Sequence, residues 1–189
     1  MTEYTGVVCI ISGGQTGADM GGLLAGRDLG LETGGWAPVR WQTERGPNPR
    51  LAEFGLMKHS GGYTERTPAN VRDADGTAVF GDSSSPGSHQ TVDSCRTQRR
   101  PFFRIPSVCV RSPELFAETL DAFRVWLVEN EIRTLNVAGN RESIHPGIEQ
   151  FTRGFLVSAL LPDEAEPPPE PEPVRKRKAF HLPAAPVVR

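Results

Sequence analysis

The stretch Val7–Gly22, VVCIISGGQTGADMGG, constrains this chain more than any other. Its first half is short, apolar and rich in β-branched residues, the pattern of a buried strand. Ser12, Gly13 and Gly14 interrupt it. From Thr16 onward, small residues lead into Leu23, Leu24 and Leu29 at near-helical spacing, ending at Gly30. A strand that enters a helix through a glycine turn leaves backbone N–H groups aimed at one spot, where the helix dipole also favours negative charge. Glycines let a ligand approach the main chain because no Cβ intervenes. The same glycines would equally serve a tight turn in any α/β domain. Gln15, Thr16 and Asp19 crowd polar side chains around this turn, which favours a binding role. The loop is neither GxGxxG nor GxxxxGK[ST], so the usual dinucleotide and Walker readings fail.

The pattern recurs. Thr77–Phe80 reads as a second buried strand ending in Gly81; a loop of small polar residues runs to His89, and Ser88–Gln98 reads as a helix start. Pro101–Val110 is another apolar run, interrupted by Pro106. Ser112 caps a helix with Pro113 in its first turn, and Leu115, Phe116, Leu120, Phe123, Trp126 and Leu127 give it one apolar face, destined for the core. Thr134–Ala138 is a further strand, closing in Gly139, Asn140, Arg141, Glu142 and Ser143 before Pro146 opens a final helix through about Leu160. Such turns on neighbouring parallel strands face one crevice at the carboxyl edge of the sheet, where open α/β sheets bind ligands. Recurrence of the junction argues for an anion-cradling crevice. The expected fold is α/β and Rossmann-like, an open, mainly parallel sheet with helices on both faces.

Between the first two junctions, residues 37–70 show little periodicity, and a loop of that length is functional or covers something. With Trp36 it carries Trp41 and Tyr63 among Arg40, Arg45, Arg50 and Arg66, a set able to hold a flat anionic ligand or simply to anchor a surface excursion. Asn70 and Val71 could begin a short helical turn. At 189 residues, the chain has room for one domain with a substantial core, placed at residues 1–162. Residues 163–189, proline- and glutamate-rich and then basic at Arg175–Lys178, lack core periodicity and are expected to be disordered. The basic cluster reads as a solvated charge run, with contact to RNA as the weaker alternative. A net charge of −2 gives no general reason to expect nucleic acid. No apolar run is long enough to span a membrane, and three scattered cysteines, Cys9, Cys95 and Cys109, with no signal peptide point to the cytoplasm. His59, His89 and His145 are isolated, and no spacing suggests a protein-ligated metal.

SGGQTGAD at 12–19, GGW at 34–36, RTPANVRDADGT at 66–77, the Gly87–Thr91 turn and NVAGNRES at 136–143 together resemble the circularly permuted YpsA-like branch of the SLOG superfamily, whose members are described as molybdenum cofactor carriers. The resemblance spans about residues 6–161 in order. It implies a Rossmann-like fold, assembly as a homo-oligomer (often a tetramer), and a small-molecule ligand, nucleotide or pterin cofactor, at these loops. By position it puts Gly13, Gly14, Gln15, Thr16, Gly17 and Asp19 in the first binding turn. Arg66, Thr67 and Asn70 would line the approach, with Asp75 near the foot of the second strand. Gly87, Ser88 and Thr91 would serve the second turn, and Gly139, Arg141, Glu142 and Ser143 the third. Asn140 stands where a proline is common, and SSSPGSH at 83–89 is less glycine-rich than the usual pattern.

Related phosphoribohydrolases carry PGGxGTxxE, whose glutamate acts on the glycosidic bond of a nucleoside monophosphate. Here SPGSHQTVDS has no such glutamate; Asp93 is the nearby acid, and Glu142 could substitute only from another turn. The expected function is therefore storage or carriage of a phosphate-bearing ligand, the molybdenum cofactor as cargo. The alternatives are a nucleotide-derivative sensor and a phosphoribohydrolase. Charge-assisted hydrogen bonds contribute about 1.5–3 kcal/mol each, whereas micromolar binding needs about 8 kcal/mol net. The turns alone would hold phosphate weakly, so Arg66, Arg141 and an aromatic from 36–63 are expected to add a clamp and a stacked ring.

Overall fold

A computed structural model describes residues 6–60, 63–82 and 85–161 of the chain. In chain order the strands are β1 (Cys9–Ser12), β2 (Glu32–Ala37), β3 (Gln42–Thr43), β4 (Gly46–Pro47), β5 (Leu56–Lys58), β6 (Gly76–Phe80), β7 (Phe102–Ile105) and β8 (Thr134–Gly139). The helices are α1 (Ala18–Asp28), α2 (Tyr63–Asp73), α3 (Pro86–Gln98), α4 (Pro113–Glu129) and α5 (Ile148–Leu160). Six strands form a parallel sheet in the order β5-β2-β1-β8-β6-β7, and β3 and β4 form a separate antiparallel hairpin. The last strand in the chain, β8, lies between β1 and β6, with Ile11 opposite Asn136 and Thr77 opposite the same residue. This is the Rossmann-like sheet expected from the sequence.

Local chemistry sets the helix starts. Ser85 and Ser112 accept the N–H groups of Ser88 and Leu115, and each is followed by a proline in the first turn of α3 or α4. Helix α5 begins at Ile148, two residues beyond Pro146, because the Glu142 carboxylate reaches forward to its first N–H groups. Strand β7 stops at Ile105, since Pro106 has no N–H to continue the ladder, and Ser107–Arg111 turns as a 3-10 helix.

Strand alternation divides the core. Ala78 and Phe80 join Leu135, Val137, Phe123, Leu127 and Phe155 in one cluster with α4 and α5. Phe80, Phe123 and Phe155 are fully buried and meet at tilted or edge-on angles, with centroids 5.6 Å (Phe80–Phe155) and 5.5 Å (Phe123–Phe155) apart. Val79 points to the other face, where α2 and α3 bring the buried Val71, Val92 and Cys95. A smaller cluster of Leu23, Ala37, Leu51, Phe54 and Leu56 anchors the segment after β2. That segment is far from structureless: residues 37–70 hold two 3-10 turns, the hairpin, an edge strand and most of α2. Among the described residues, no helix is long and apolar enough to cross a membrane.

Candidate functional site

The turns after β1, β8 and β6 meet at the carboxyl edge of the sheet. In the first, the Ser12 hydroxyl donates to the Asp19 carbonyl at 3.1 Å and accepts the Gly14 N–H at 3.2 Å. The Gln15 N–H donates to Asp19 Oδ2 at 3.1 Å, so a residue in the first turn of α1 fixes the loop that precedes it. Arg66, Thr67 and Asn70 stand at i, i+1 and i+4 of α2, a spacing that gathers them on one side of a helix. Asn70 docks this helix on β2, accepting from Trp36 N at 2.8 Å and donating to Trp36 O at 3.1 Å. Arg66 then lies over the first turn, its Nη1 3.6 Å from Asp19 Oδ2. Gly13 makes this possible, because a Cβ there would fall on the guanidinium and 2.8 Å from the Asp19 carboxylate.

Asn140 ties the turns together. Its carbonyl accepts from Ala18 N at 3.0 Å, and its N–H donates to Phe80 O at 3.0 Å. Its side-chain amide accepts from Asp82 N at 2.6 Å and donates to Ser85 Oγ at 3.0 Å. A proline could supply neither the N–H nor the amide, so asparagine at this position braces the second and third turns. Gly17 brings the first turn against the third: at φ 80° and ψ −130°, its Cα faces the backbone, and a Cβ would sit 2.6 Å from Glu142 N.

These contacts frame a partly open pocket of about 80 Å³. Gly13, Gln15 and Asp19 line it from the first turn, Arg66, Thr67 and Asn70 from α2, and Gly87 and Thr91 from α3. Gly139 and Arg141 line it from the third turn. The sequence analysis did not single out three further lining residues, Gln90, Asn136 and Ala138. Asn136 and Ala138 occupy alternate positions of β8, so an asparagine inside an apolar strand was the available signal. Its amide donates to Thr77 Oγ1 at 3.2 Å. Gln90 stands three residues after Gly87, on the same side of α3. Burial pushes the Asp19 carboxyl above its ordinary range, opposed by the charge of Arg66, the Gln15 N–H and the charge of Arg141. The site is thus a partly open chamber in which the buried Arg66 faces one reluctant carboxylate, Asp19, and the exposed Arg141 adds a second positive charge to the lining.

Other expected residues lie elsewhere. Asp75 is at the opposite, amino edge of the sheet, where Oδ2 accepts from Arg133 N at 3.1 Å and Thr134 N at 2.7 Å. It lies near the foot of β6, aligns the start of β8 with that strand, and does not line the cavity. Glu142 does not line the cavity either; its carboxylate accepts the N–H groups of Gly147 and Glu149, a helix cap that an acidic side chain suits. Ser88 is buried in the α3 cap, accepting from the Ser85 hydroxyl at 2.9 Å. Gly14 and Thr16 line a neighbouring hollow of about 340 Å³ together with Met20, Arg45, Asn48 and Glu149. Thr16 and Ser143 both donate to the carboxylate of Glu44, a residue that no sequence pattern singled out. Trp36 does not face the cavity: its Nε1 donates to Asp73 at 2.7 Å and its ring meets His59 edge-on at 5.6 Å. Trp41 packs on the smaller core cluster. No aromatic ring among the described residues lines the cavity, and the Tyr63 side chain and the 163–189 tail lie outside those residues.

The model of the circularly permutated YpsA SLOG family matches residues 10–160. Among solved structures, the chain is similar to one from Syntrophus aciditrophicus SB named "Putative molybdenum carrier protein", with 30% identity and a TM-score of 0.74. The match covers 83% of this chain and 96% of that one. No curated protein matches the chain.

Proposed function

The chain belongs to the circularly permuted YpsA family of the SLOG fold, and on that premise we propose that it is a non-catalytic carrier of a phosphate-bearing ligand, with the molybdenum cofactor as its cargo. The observation that carries this reading is the polar chamber in which Arg66 and Arg141 converge with Gln15, Asn70 and Thr91 at the carboxyl edge of the sheet. A water needs about 10–15 Å³ of such space, so the pocket of about 80 Å³, open on one side, has room for a phosphoryl head and a little solvent. The ring would rest outside, toward the larger hollow. The name of the similar structure supports molybdenum as the cargo, and the family resemblance favours the pterin cofactor over a nucleotide.

Hydrolysis draws less support. Asp93 pairs with Arg96 at 3.5 Å on an exposed side of α3, and Glu142 serves the α5 cap. Neither acid is among the chamber residues. The test is to express the protein and its Arg141→Ala variant in a molybdenum-replete host, release the bound small molecule with acid, and measure pterin and molybdenum. A pterin with molybdenum near one per protomer, falling at least tenfold in the variant, is expected. A nucleotide without molybdenum, or equal loading of the two proteins, would overturn the carrier reading.

A further inference from the structure

The tip of the β3–β4 hairpin reaches over the first and third turns. The Glu44 N–H donates to Gln15 Oε1 at 2.9 Å, and that oxygen also accepts from Thr16 N at 3.0 Å. The Glu44 carboxylate then takes the Thr16 hydroxyl, the Ser143 hydroxyl and, at 3.2 Å, the Ser143 N–H. Within the hairpin, Thr43 Oγ1 donates to Gly46 O at 2.7 Å and accepts from Arg45 N at 3.2 Å, so the tip keeps its shape without help from Glu44.

Two hydroxyls and a backbone N–H from separate turns, converging on one carboxylate, make the donor arrangement that receives an oxyanion. Partial burial works against the Glu44 carboxylate, yet the hydrogen bonds from Ser143 and Thr16 and the charge of Arg141 outweigh it and hold its pKa below the usual range. Arg141 lines the inner chamber, and its positive charge favours the ionised form of both Glu44 and Asp19. Gln15 lines the same chamber and carries the hairpin tip, while Thr16 opens onto the larger hollow beside Arg45.

We propose that the Glu44 carboxylate is seated where a second acidic group of the ligand belongs, so that the crevice takes a ligand with two adjacent acidic groups, a diphosphate, whose second group displaces the hairpin tip. The inference rests on the anion-binding reading of the inner chamber. The first phosphoryl group enters the chamber at Arg66; the second meets Thr16 and Ser143 across Arg141. The hairpin swings away, joining the chamber to the hollow. Because the binding-competent state requires Glu44 to leave, its hydrogen bonds lower apparent affinity in proportion to the fraction of protein that is open.

Calorimetry with inorganic phosphate and inorganic pyrophosphate separates this inference from the reading beneath it. Wild-type binding of phosphate, abolished in Arg66→Ala, stands for the inner chamber; phosphate binding that Arg66→Ala leaves unchanged overturns both. Given that binding, Glu44→Ala is expected to tighten pyrophosphate about tenfold, the gain from a state open about one-tenth of the time, while phosphate changes less than twofold. Adding Ser143→Ala should remove most of the gain. Pyrophosphate affinity that is unchanged or weaker in Glu44→Ala, or phosphate tightened by the same factor, would overturn the inference alone. Glu44→Gln, which keeps the hairpin's own bonds, is expected to shift pyrophosphate in the same direction by a smaller factor; a melting curve confirms that both variants fold.

Discussion

Replacing Gly17 by alanine tests whether the first and third turns are held together by direct backbone contact. Gly17 has φ 80° and ψ −130°, a region that side chains avoid at a cost of about 1–3 kcal/mol. The added Cβ would also meet Asn140 O at 2.5 Å, Glu142 N at 2.6 Å and the Arg141 carbonyl carbon at 2.8 Å. All of these are main-chain atoms, so no side chain can rotate away, and overpacking of this kind costs about 1–3 kcal/mol more. A total of about 2–6 kcal/mol, at about 2–4 °C per kcal/mol for a chain of this length, lowers Tm by about 4–24 °C. The assay is thermal unfolding followed by circular dichroism, paired with calorimetry of phosphate binding. Binding should suffer beyond the stability loss, since the shift moves Arg141 out of the chamber. A Tm within about 2 °C of wild type would show that the turns part freely and that the close approach has no role.

Gly154 supplies the opposite case. It lies exposed within α5, where a Cβ would meet nothing within 4 Å, so Gly154→Ala should raise stability by about 0.5–1 kcal/mol in urea unfolding. Asp19 gives a pH dependence. Its pKa is raised in the folded chain, chiefly by burial, so its contribution is complete below the unfolded value and is lost as pH rises through the folded value. Wild-type Tm relative to Asp19→Asn should therefore fall steadily from about pH 4 upward; a difference that stays flat, or that moves in favour of the wild type, would contradict the burial argument.

The β–turn–α junctions were legible because each declares itself locally. An apolar run, a glycine and a capping serine or proline follow from backbone chemistry, and β1, β6, β8, α3 and α4 lie within a residue or two of where the sequence put them. Helix α2 was harder. Its central Pro68 reads as a breaker, its composition is polar, and its buried positions are Arg66, Ala69, Asn70 and Val71, a mixture without an apolar stripe. The helix forms because tertiary contacts hold it: Asn70 on the β2 main chain, and Gln98 donating to Pro68 O at 3.0 Å. The same limit explains Glu44. Its partners are 28 and 99 residues away, and no local pattern marks a carboxylate for a distant role.

Acidic residues show most clearly why composition could not assign the site. Asp19, Asp75, Glu142 and Glu44 all stand beside glycine-rich junctions in sequence or in space, and each accepts backbone N–H groups. Asp75 pins the amino end of β8, and Glu142 caps α5; both carboxylates accept N–H groups that belong to the chain's own strand and helix starts. Asp19 differs because burial opposes its negative charge while the positive charges of Arg66 and Arg141 favour it. Glu44 differs because its donors come from two turns that it must bridge from outside. An incoming anion competes with the last two and leaves the first two untouched. Binding should therefore redistribute charge around Arg141 without loosening β8 or α5, and hydrogen exchange should register the ligand at 42–47 and 13–19 while the amides of Thr134 and Glu149 remain protected.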